Sequence, residues 1–592
     1  MYIRFVNFVD QLNQYRQSKI SNKNFLIIAA ILVGILAGLA AALLKGITHR
    51  IEHFLQTDLT WQYKYYLYLL FPTIGILLSV IYVKRFIRKG KFETGLTPLL
   101  YAISKKSSRV EAHNSYSQII TSAVTVGFGG STGLEAPIAT SGAAIGSNIS
   151  RFFGLSYRET TLLLACGAAA GIAGAFNSPI AGIVFAIEIL LPEFTIPAFI
   201  PLLLSAATAA VVARLFFTEQ LFYLVTEGWR IQALGYYILL AILVGLYSIY
   251  FTKVNNVVKG GFYKIKNPYQ KIVVGGLMLG VLVFLFPTLY GEGYITINNL
   301  LKGDYTAVIS NSIFSEYSDL PFVIIVFSVV TVLLKSVATM VTLSAGGNGG
   351  TFAPSLIIGG LIGFIMAYTV NTLGIAELNV ANFIVAGMAA ALGSVMHAPL
   401  TGIFLIAEIT GGYVLMVPLM ITTAIAYFIN RSVSKYSIYT KPLADKGELS
   451  HHEDKDTTVL NIMKLRPLIE RANFSLLGTD LLRDKVEDIS KSKQGVIPVM
   501  NEKGTFIGMV AVNTVLAKVG HLADSDLIIA DLVHVPTVSC LPNADVKDVL
   551  LQMDAENLSE IPVVDKFGNY IGIVSKTTVF NKYRTLLSQQ GD

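Results

Sequence analysis

The residues best placed to do chemistry in this chain lie in three glycine-rich breaks between apolar stretches. Residues 93–98 read ETGLTP, residues 127–137 read GFGGSTGLEAP, and residues 346–354 read GGNGGTFAP. In each break the glycines free the backbone, and the closing proline suits the first turn of a helix. The N-terminus of a helix attracts anions through its unpaired N–H groups and its dipole. The breaks therefore predict an anion site built from helix ends.

Such a site suits transport better than tight binding. A buried lysine or arginine would hold an anion too strongly, whereas conduction needs weak binding. Two or three helix ends aimed at one point attract an anion through partial charges alone. The chemistry predicted for the breaks is therefore the passage of an anion.

Glu135 is the acid within the second break. An ionisable residue inside a membrane is costly and usually functional. Its carboxylate would lie where the anion binds, so it would block the site while ionised and leave when protonated or displaced. The alternative is an acid that only complements the helix dipole. The position of Glu135 in a glycine-rich break favours a gate.

Four other polar residues interrupt the apolar stretches. Glu188 and Glu408 occupy matching positions near helix ends, which favours a structural role such as capping a loop over proton carriage. Lys335 is interpreted as a snorkelling or interfacial cation rather than a ligand. His397 is interpreted as a hydrogen-bonding residue rather than a metal ligand.

The composition indicates that most of the chain is built for a membrane. Of its 592 residues 53% are hydrophobic and 14% are charged, and the mean hydropathy is +0.60. These values exclude a disordered chain, a nucleic-acid module and a single soluble domain. The net charge of +7 is better explained by basic cytoplasmic loops than by nucleic-acid binding. Cys166 and Cys540 are too few for a disulfide framework, and neither has metal-ligand spacing.

The apolar stretches predict a protein that crosses the membrane many times. Residues 25–44 carry no charge, which is about the length of one crossing. The basic segment before them places the N-terminus in the cytoplasm and does not read as a signal peptide. Further apolar stretches, several of them cut by Gly, Pro or Asn, cover roughly residues 66–83, 159–191, 196–217, 235–252, 272–290, 321–343, 352–375, 380–409 and 414–429.

The apolar part of the chain repeats itself. Residues 166–189 and 386–409 match at a constant offset of 220, and residues 133–137 match residues 350–354 just upstream. Two halves with interrupted apolar segments at corresponding places predict a transporter-type fold with its site where the halves meet. Chance similarity between Gly/Ala-rich helices does not explain two motifs that recur in the same order.

Residues 441–592 are about one-quarter charged, which is typical of a soluble domain. Within them, residues 497–510 and 561–574 each read as an apolar strand, a glycine-containing turn and a second strand. The C-terminal part is therefore predicted to hold two similar α/β units.

These motifs resemble those of the chloride channel/transporter (CLC) family, and the resemblance spans essentially the whole chain. The family motif Gly-Lys/Arg-Glu-Gly-Pro stands as residues 133–137, and the motif Gly-x-Phe-x-Pro stands as residues 350–354. Residues 176–182, which read FNSPIAG, also fit. The resemblance implies that Glu135 is the gate and that the C-terminal part is a pair of cystathionine-β-synthase-type (CBS) domains. It also implies that backbone N–H groups at Thr351 and Phe352 meet the anion.

The chain departs from the family pattern at the anion site. The family motif Gly-Ser-Gly-Ile-Pro is absent, but Thr94 lies at the corresponding distance before Glu135 and has a hydroxyl to replace that of serine. Leu134 and Ala136 replace the basic residue and the second glycine of the gate motif. The pore tyrosine of the family has two candidates here, Tyr436 and Tyr439, of which we prefer Tyr436.

Two departures concern coupling and regulation. Many exchangers of the family have a glutamate directly after Glu188, whereas this chain has Ile189, which cannot carry a proton. In many CBS domains an Asp that follows a Ser or Thr by three residues binds a ribose. Neither residues 511–514 nor residues 575–578 have this Asp. A structural or dimerising role for the CBS pair is therefore as well supported as adenine-nucleotide sensing.

The predicted fold is an all-α polytopic membrane domain with inverted repeats and broken helices, followed by a soluble α/β CBS pair. Residues 1–24 are assigned to a cytoplasmic segment, 25–440 to the membrane domain, 441–456 to a linker and 457–592 to the tandem CBS domains. We expect a homodimer with one pore per subunit, in a bacterial cytoplasmic membrane, with both termini cytoplasmic. No metal or cofactor and no enzymatic activity are predicted.

The predicted function is a voltage- or pH-gated chloride or small-anion channel gated by Glu135. A chloride/proton antiporter with an unusual inner proton route remains an alternative, and a CBS-regulated magnesium transporter or membrane sensor is an alternative of another class. The residues predicted to contact the anion are Thr94, Gly133, Leu134, Glu135, Gly350, Thr351, Phe352, Tyr436 and Tyr439.

Overall fold

The computed structural model of the chain divides into two compact units, residues 1–449 and 450–592. It describes residues 13, 18–58, 64–87, 92–191, 196–217, 228–446, 448, 460, 463–472, 474–492, 494–502, 504–518, 527–536 and 538–591. Most of the predicted N-terminal segment and most of the predicted linker lie outside these residues.

The described residues of the first unit form helices joined by turns and irregular segments. Eight of the helices described are long and apolar enough to cross a membrane, and shorter apolar helices lie between them. Prolines at or near the first position start many of them, because the missing N–H of proline costs nothing there. The α-helices are Asn22–His53, Lys64–Leu67, Phe71–Phe86, Thr97–Lys105, Asn114–Gly127, Glu135–Phe152, Tyr157–Phe176, Pro179–Phe185, Ile196–Phe216, Leu234–Tyr263, Pro268–Leu285, Tyr294–Leu301, Pro321–Ser344, Phe352–Thr372, Val380–Met396, Pro399–Ile409, Met416–Val433 and Lys441–Ala444.

The sequence repeat appears as two equivalent pairs of closely packed helices. In the first pair, Glu135–Phe152 packs on Tyr157–Phe176; in the second, Phe352–Thr372 packs on Val380–Met396. A Cβ atom placed on Gly142 would lie 2.0 Å from the carbonyl oxygen of Gly167, and one placed on Gly359 would lie 2.1 Å from that of Gly387. The backbones of each pair are therefore in direct contact, which only glycine permits.

Each half also contains a helix that is broken at the same place. Asn177 and His397 end their helices with left-handed backbone conformations, at φ 54° and φ 57°. Pro179 and Pro399 then start the next helices. A left-handed residue after the last turn is a common helix C-cap, for which asparagine is well suited. In addition to the hydrogen-bonding role predicted for it, His397 ends its helix as a left-handed C-cap, as Asn177 does in the first half.

Lys335 lies in the interior of the membrane unit, not at an interface. It is fully buried in helix Pro321–Ser344, and its Nζ donates hydrogen bonds to the carbonyl oxygens of Leu289 (3.3 Å) and Gly291 (2.9 Å). The interpretation of Lys335 as a snorkelling or interfacial cation is therefore wrong. The reason is that the irregular segment after Pro287 turns its carbonyl groups toward the ammonium, a contact that hydropathy does not reveal.

The second unit has the two strand–turn–strand elements that the sequence predicts. Strands Val496–Met500 and Phe506–Ala511 pair antiparallel, with Leu476–Leu477 added parallel to the first, and strands Glu560–Val564 and Tyr570–Ser575 form a second antiparallel pair. The turns contain Gly504 and Gly568, both with positive φ. The helices of this unit are Leu482–Ser490, Val512–Lys518, Val546–Ala555 and Lys576–Gly591.

Candidate anion site

The two main glycine-rich breaks meet in the structure. The N–H of Gly133 donates to the carbonyl oxygen of Gly350 (2.9 Å), and the N–H of Gly350 donates to that of Gly133 (2.8 Å). This bridge places the starts of helices Glu135–Phe152 and Phe352–Thr372 side by side. A Cβ atom on Gly350 would lie 2.6 Å from that of Ala136, so the approach needs glycine. Two helix N-termini therefore point at one region, as the sequence predicts.

Glu135 is held between these helix starts. It is the first residue of its helix and is only 3% exposed. Its Oε1 accepts a 2.6 Å hydrogen bond from the Tyr294 hydroxyl, and its Oε2 accepts a 3.3 Å bond from the N–H of Ala353. The carboxylate thus takes an N–H group at the start of the second helix, where an anion would also be attracted.

Two backbone N–H groups near Glu135 have partners within the protein. The N–H of Thr351 donates to the hydroxyl of Tyr439 (3.3 Å), and the N–H that holds the gate is that of Ala353. Phe352 is buried, and its ring lies 5.5 Å from that of Phe176. Phe352 therefore packs in the buried core next to Phe176.

Tyr439, not Tyr436, reaches the site. Tyr439 is 7% exposed, and its hydroxyl lies 2.7 Å from Oγ1 of Thr351. Tyr436 is only half-buried, and the Nζ of Lys435 lies 5.5 Å from the centre of its ring. The preference for Tyr436 is corrected, because the chain between Val433 and Lys441 turns one tyrosine inward and leaves the other near the surface.

The third break reaches the same place. Thr97 at the start of its helix donates a 2.9 Å hydrogen bond to the carbonyl oxygen of Tyr439, and Gly95 has a positive φ of 79°. Thr94 and Thr351 line one cavity of about 320 Å³, together with Tyr439. This cavity also contains Lys259 and Lys271, and we call it the Lys259 cavity.

A second cavity lies on the other side of the helix starts. It has a volume of about 330 Å³ and is lined by Leu134 and by several charged or polar side chains, among them Glu292. We call it the Glu292 cavity. A much smaller pocket, of about 10 Å³, is lined by Glu135, Glu292 and Tyr294. The Glu135 carboxylate accepts a hydrogen bond from Tyr294, which lines the Glu292 cavity, and one from Ala353, two residues after Thr351 of the Lys259 cavity, so it lies between the two cavities.

The sequence alone did not identify Glu292 and Tyr294 as residues of the site. Glu292 accepts a 3.1 Å hydrogen bond from the N–H of Leu134, directly before the gate. Both residues belong to a fourth glycine-containing break, GEGY at residues 291–294, which lies between apolar segments. An acid in a glycine-containing break between apolar segments is the same signal that identified Glu135.

Glu188 and Glu408 form two reciprocal helix caps. The Glu188 carboxylate accepts hydrogen bonds from the N–H groups of Leu400 (3.0 Å) and Thr401 (2.8 Å), at the start of helix Pro399–Ile409. The Glu408 carboxylate accepts bonds from Ile180 (3.2 Å) and Ala181 (3.0 Å), at the start of helix Pro179–Phe185. Each acid satisfies otherwise unpaired N–H groups in the other half. This geometry agrees with the capping role predicted for both.

Comparisons with known proteins match both units. A family model described as voltage gated chloride channel matches residues 75–431, and a CBS domain model matches residues 529–584. A protein of Ralstonia nicotianae named chloride channel protein ClcB-like is 30% identical over 390 residues, which are 64% of this chain and 85% of that protein. The H⁺/Cl⁻ exchange transporter ClcA of Vibrio parahaemolyticus is 29% identical over 329 residues, 54% of this chain and 67% of that protein.

A solved structure shares the fold. The crystal structure of a slow cyanobacterial Cl⁻/H⁺ antiporter aligns with a TM-score of 0.61 and 23% sequence identity. The alignment covers 72% of this chain and 99% of that chain. It supports the helical membrane architecture with broken helices.

Proposed function

Because this chain belongs to the voltage-gated chloride channel family, a family of multi-pass membrane transport proteins, we propose that it exchanges chloride for protons across a membrane. The sequence alone favours a gated channel, on the strength of Ile189. The relatives named as H⁺/Cl⁻ exchangers favour the antiporter alternative instead.

The observation that carries the proposal is the position of the Glu135 carboxylate. It accepts the N–H of Ala353 at a helix start that attracts anions, and it lies between two cavities. An ionised carboxylate and an anion exclude each other from this point. A proton removes the charge of Glu135 and so weakens its hold on the N–H. Because the site holds either an anion or the deprotonated gate, the movement of chloride in one direction is coupled to the movement of protons in the other.

The missing inner glutamate does not rule out exchange. Ile189 lies in a π-helical turn, Ala186–Leu190, and is partly buried against the apolar core. The Lys259 cavity, however, reaches Tyr439 and Thr351 directly, so water in that cavity provides a proton route that needs no side chain at position 189. This is the unusual inner route of the antiporter alternative.

The orientation of the protein in the membrane follows from its basic N-terminal segment. With the N-terminus in the cytoplasm, helix Asn22–His53 ends on the outer side, where its residues Lys45 and Glu52 line the Glu292 cavity. The Lys259 cavity then faces the cytoplasm.

We also propose a homodimer in a bacterial cytoplasmic membrane, with residues 25–440 as the membrane domain and a tandem CBS pair at 457–592. That pair serves dimerisation or structure, with adenine-nucleotide binding as the alternative.

Ion fluxes of the purified protein in liposomes test the exchange. A chloride gradient should drive protons uphill, in constant proportion to the chloride flux, as followed with a pH electrode and a chloride electrode. Chloride flux without proton movement would restore the gated channel. Absence of anion flux together with magnesium flux would favour the CBS-regulated cation transporter.

Thr94→Val tests the anion site on the Lys259 side. Valine keeps the shape of threonine and removes the hydroxyl, so a bound anion would lose one hydrogen bond. A hydrogen bond to a charged group contributes about 1.5–3 kcal/mol. We therefore expect chloride affinity, measured by calorimetry, to fall about tenfold or more, whereas Thr94→Ser retains the donor and should bind normally. Unchanged affinity in Thr94→Val would place the anion away from residues 93–98.

A further inference from the structure

Glu292 places a second carboxylate at the start of the gate helix. It lies between Gly291 (φ 58°) and Gly293 (φ 97°), directly before helix Tyr294–Leu301. Its Oε1 accepts the N–H of Leu134 at 3.1 Å, one residue before Glu135. The gate and Glu292 therefore occupy adjacent positions on the same helix end.

Glu292 connects the gate with the larger cavity. It lines both the Glu292 cavity and the small pocket, whereas Glu135, among the residues described, borders the small pocket but not that cavity. The small pocket has about the volume that one water molecule needs. Lys45, Tyr294 and Glu292 line both spaces, and of these Glu292 is the acid, so it is placed to receive a proton that travels between the cavity and Glu135.

The surroundings of Glu292 combine several charged or titratable groups. Two carboxylates in an enclosed site repel each other when both are ionised, and a proton on either one removes this repulsion. Nearby cations reduce the repulsion without abolishing it. The pair is therefore suited to hold one proton and to pass it from one acid to the other. The groups that face Glu292 are Lys45, His49, Glu52, Glu135, Tyr294 and Lys335.

We propose that Glu292 is a proton-transfer residue that carries protons between the Glu292 cavity and Glu135. A hydronium ion in the cavity gives its proton to the Glu292 carboxylate and becomes water. Neutral Glu292 then passes the proton through one water in the small pocket to the Glu135 carboxylate, and Glu292 is ionised again. Neutral Glu135 releases the N–H of Ala353, which an anion can take. The reverse sequence returns the proton, and the inference rests on the exchange proposed above.

A purely structural role for Glu292 makes a different prediction. As a cap, Glu292 needs only an oxygen that accepts the N–H of Leu134, and glutamine provides one. As a proton-transfer residue it needs a titratable group, which glutamine lacks. Glu292→Gln therefore separates the two roles, and Glu292→Asp keeps a titratable group at the same place.

Proton and chloride fluxes should be measured in liposomes under one chloride gradient for the wild type, Glu292→Gln and Glu292→Asp. Glu316→Gln is the matched control, because Glu316 is an exposed acid that, among the residues described, lines neither the Glu292 cavity nor the small pocket. A positioned acid contributes about a hundredfold or more to proton transfer. We expect at least a tenfold loss of proton flux in Glu292→Gln and a smaller loss of chloride flux, because chloride can still displace the ionised gate. Glu292→Asp should recover part of the loss, and Glu316→Gln should keep the wild-type proton-to-chloride ratio.

Each other outcome would contradict either the proposed exchange or the proposed relay. A wild type that moves no protons contradicts the proposed exchange itself. A coupled wild type with a normal ratio in Glu292→Gln contradicts the relay alone. Equal loss of both ions in Glu292→Gln, with no recovery in Glu292→Asp, indicates a structural role and also contradicts the relay. A loss of proton flux in Glu316→Gln equal to that in Glu292→Gln would show that the loss does not depend on the position of Glu292 and would contradict the relay.

Discussion

Glu135→Gln should transport chloride at a rate that does not depend on pH and should move no protons. Glutamine has the shape of a protonated glutamate, so it imitates the open gate, but it can neither take up nor release a proton. The hydroxyl of Tyr294 and the N–H of Ala353, which now hold the carboxylate, would meet a neutral group that competes weakly with an anion.

The expected loss of proton flux is about a hundredfold or more, because proton transfer through a positioned acid contributes that much. Chloride and proton fluxes in liposomes, measured across a series of pH values, give both quantities in one experiment. Glu93→Gln is the matched control, since Glu93 lies in another break and is exposed. A Glu135→Gln protein whose chloride flux kept the wild-type pH dependence would show that the gate is elsewhere.

Gly387→Ala should destabilise the membrane unit severely. A Cβ atom on Gly387 would lie 2.1 Å from the carbonyl oxygen of Gly359, so helices Val380–Met396 and Phe352–Thr372 would have to separate. Forcing extra volume into a packed interior costs about 1–3 kcal/mol, and more where the neighbour is backbone. The displaced helix carries Phe352 and Ala353 at its start, so the anion site should be distorted as well.

The measurements are the yield of monodisperse protein and its thermal unfolding in detergent. Gly260→Ala in helix Leu234–Tyr263 is the control, because a Cβ atom there meets nothing within 4 Å. That variant should be unchanged or slightly stabilised, since alanine favours helices more than glycine does. Equal unfolding temperatures for Gly387→Ala and Gly260→Ala would contradict the direct backbone contact between the two helices.

The sequence by itself determined the features that depend on local chemistry. Glycine and proline mark where the backbone breaks and restarts as a helix, so the breaks and the place of Glu135 at a helix start followed from the order of residues. The repeat at a constant offset predicted two equivalent halves. Short apolar runs on either side of a turn glycine predict the strand–turn–strand units of the tail.

Only the tertiary structure decided which distant groups meet. It selected Tyr439 over Tyr436, placed Lys335 in the interior, and joined Glu292 to the N–H of Leu134, a residue 158 positions away. Hydropathy reports how polar a residue is but not which carbonyl, hydroxyl or N–H lies opposite it in the fold. Contacts between remote segments depend on how helices pack, and the close approach of backbones at glycines sets that packing here.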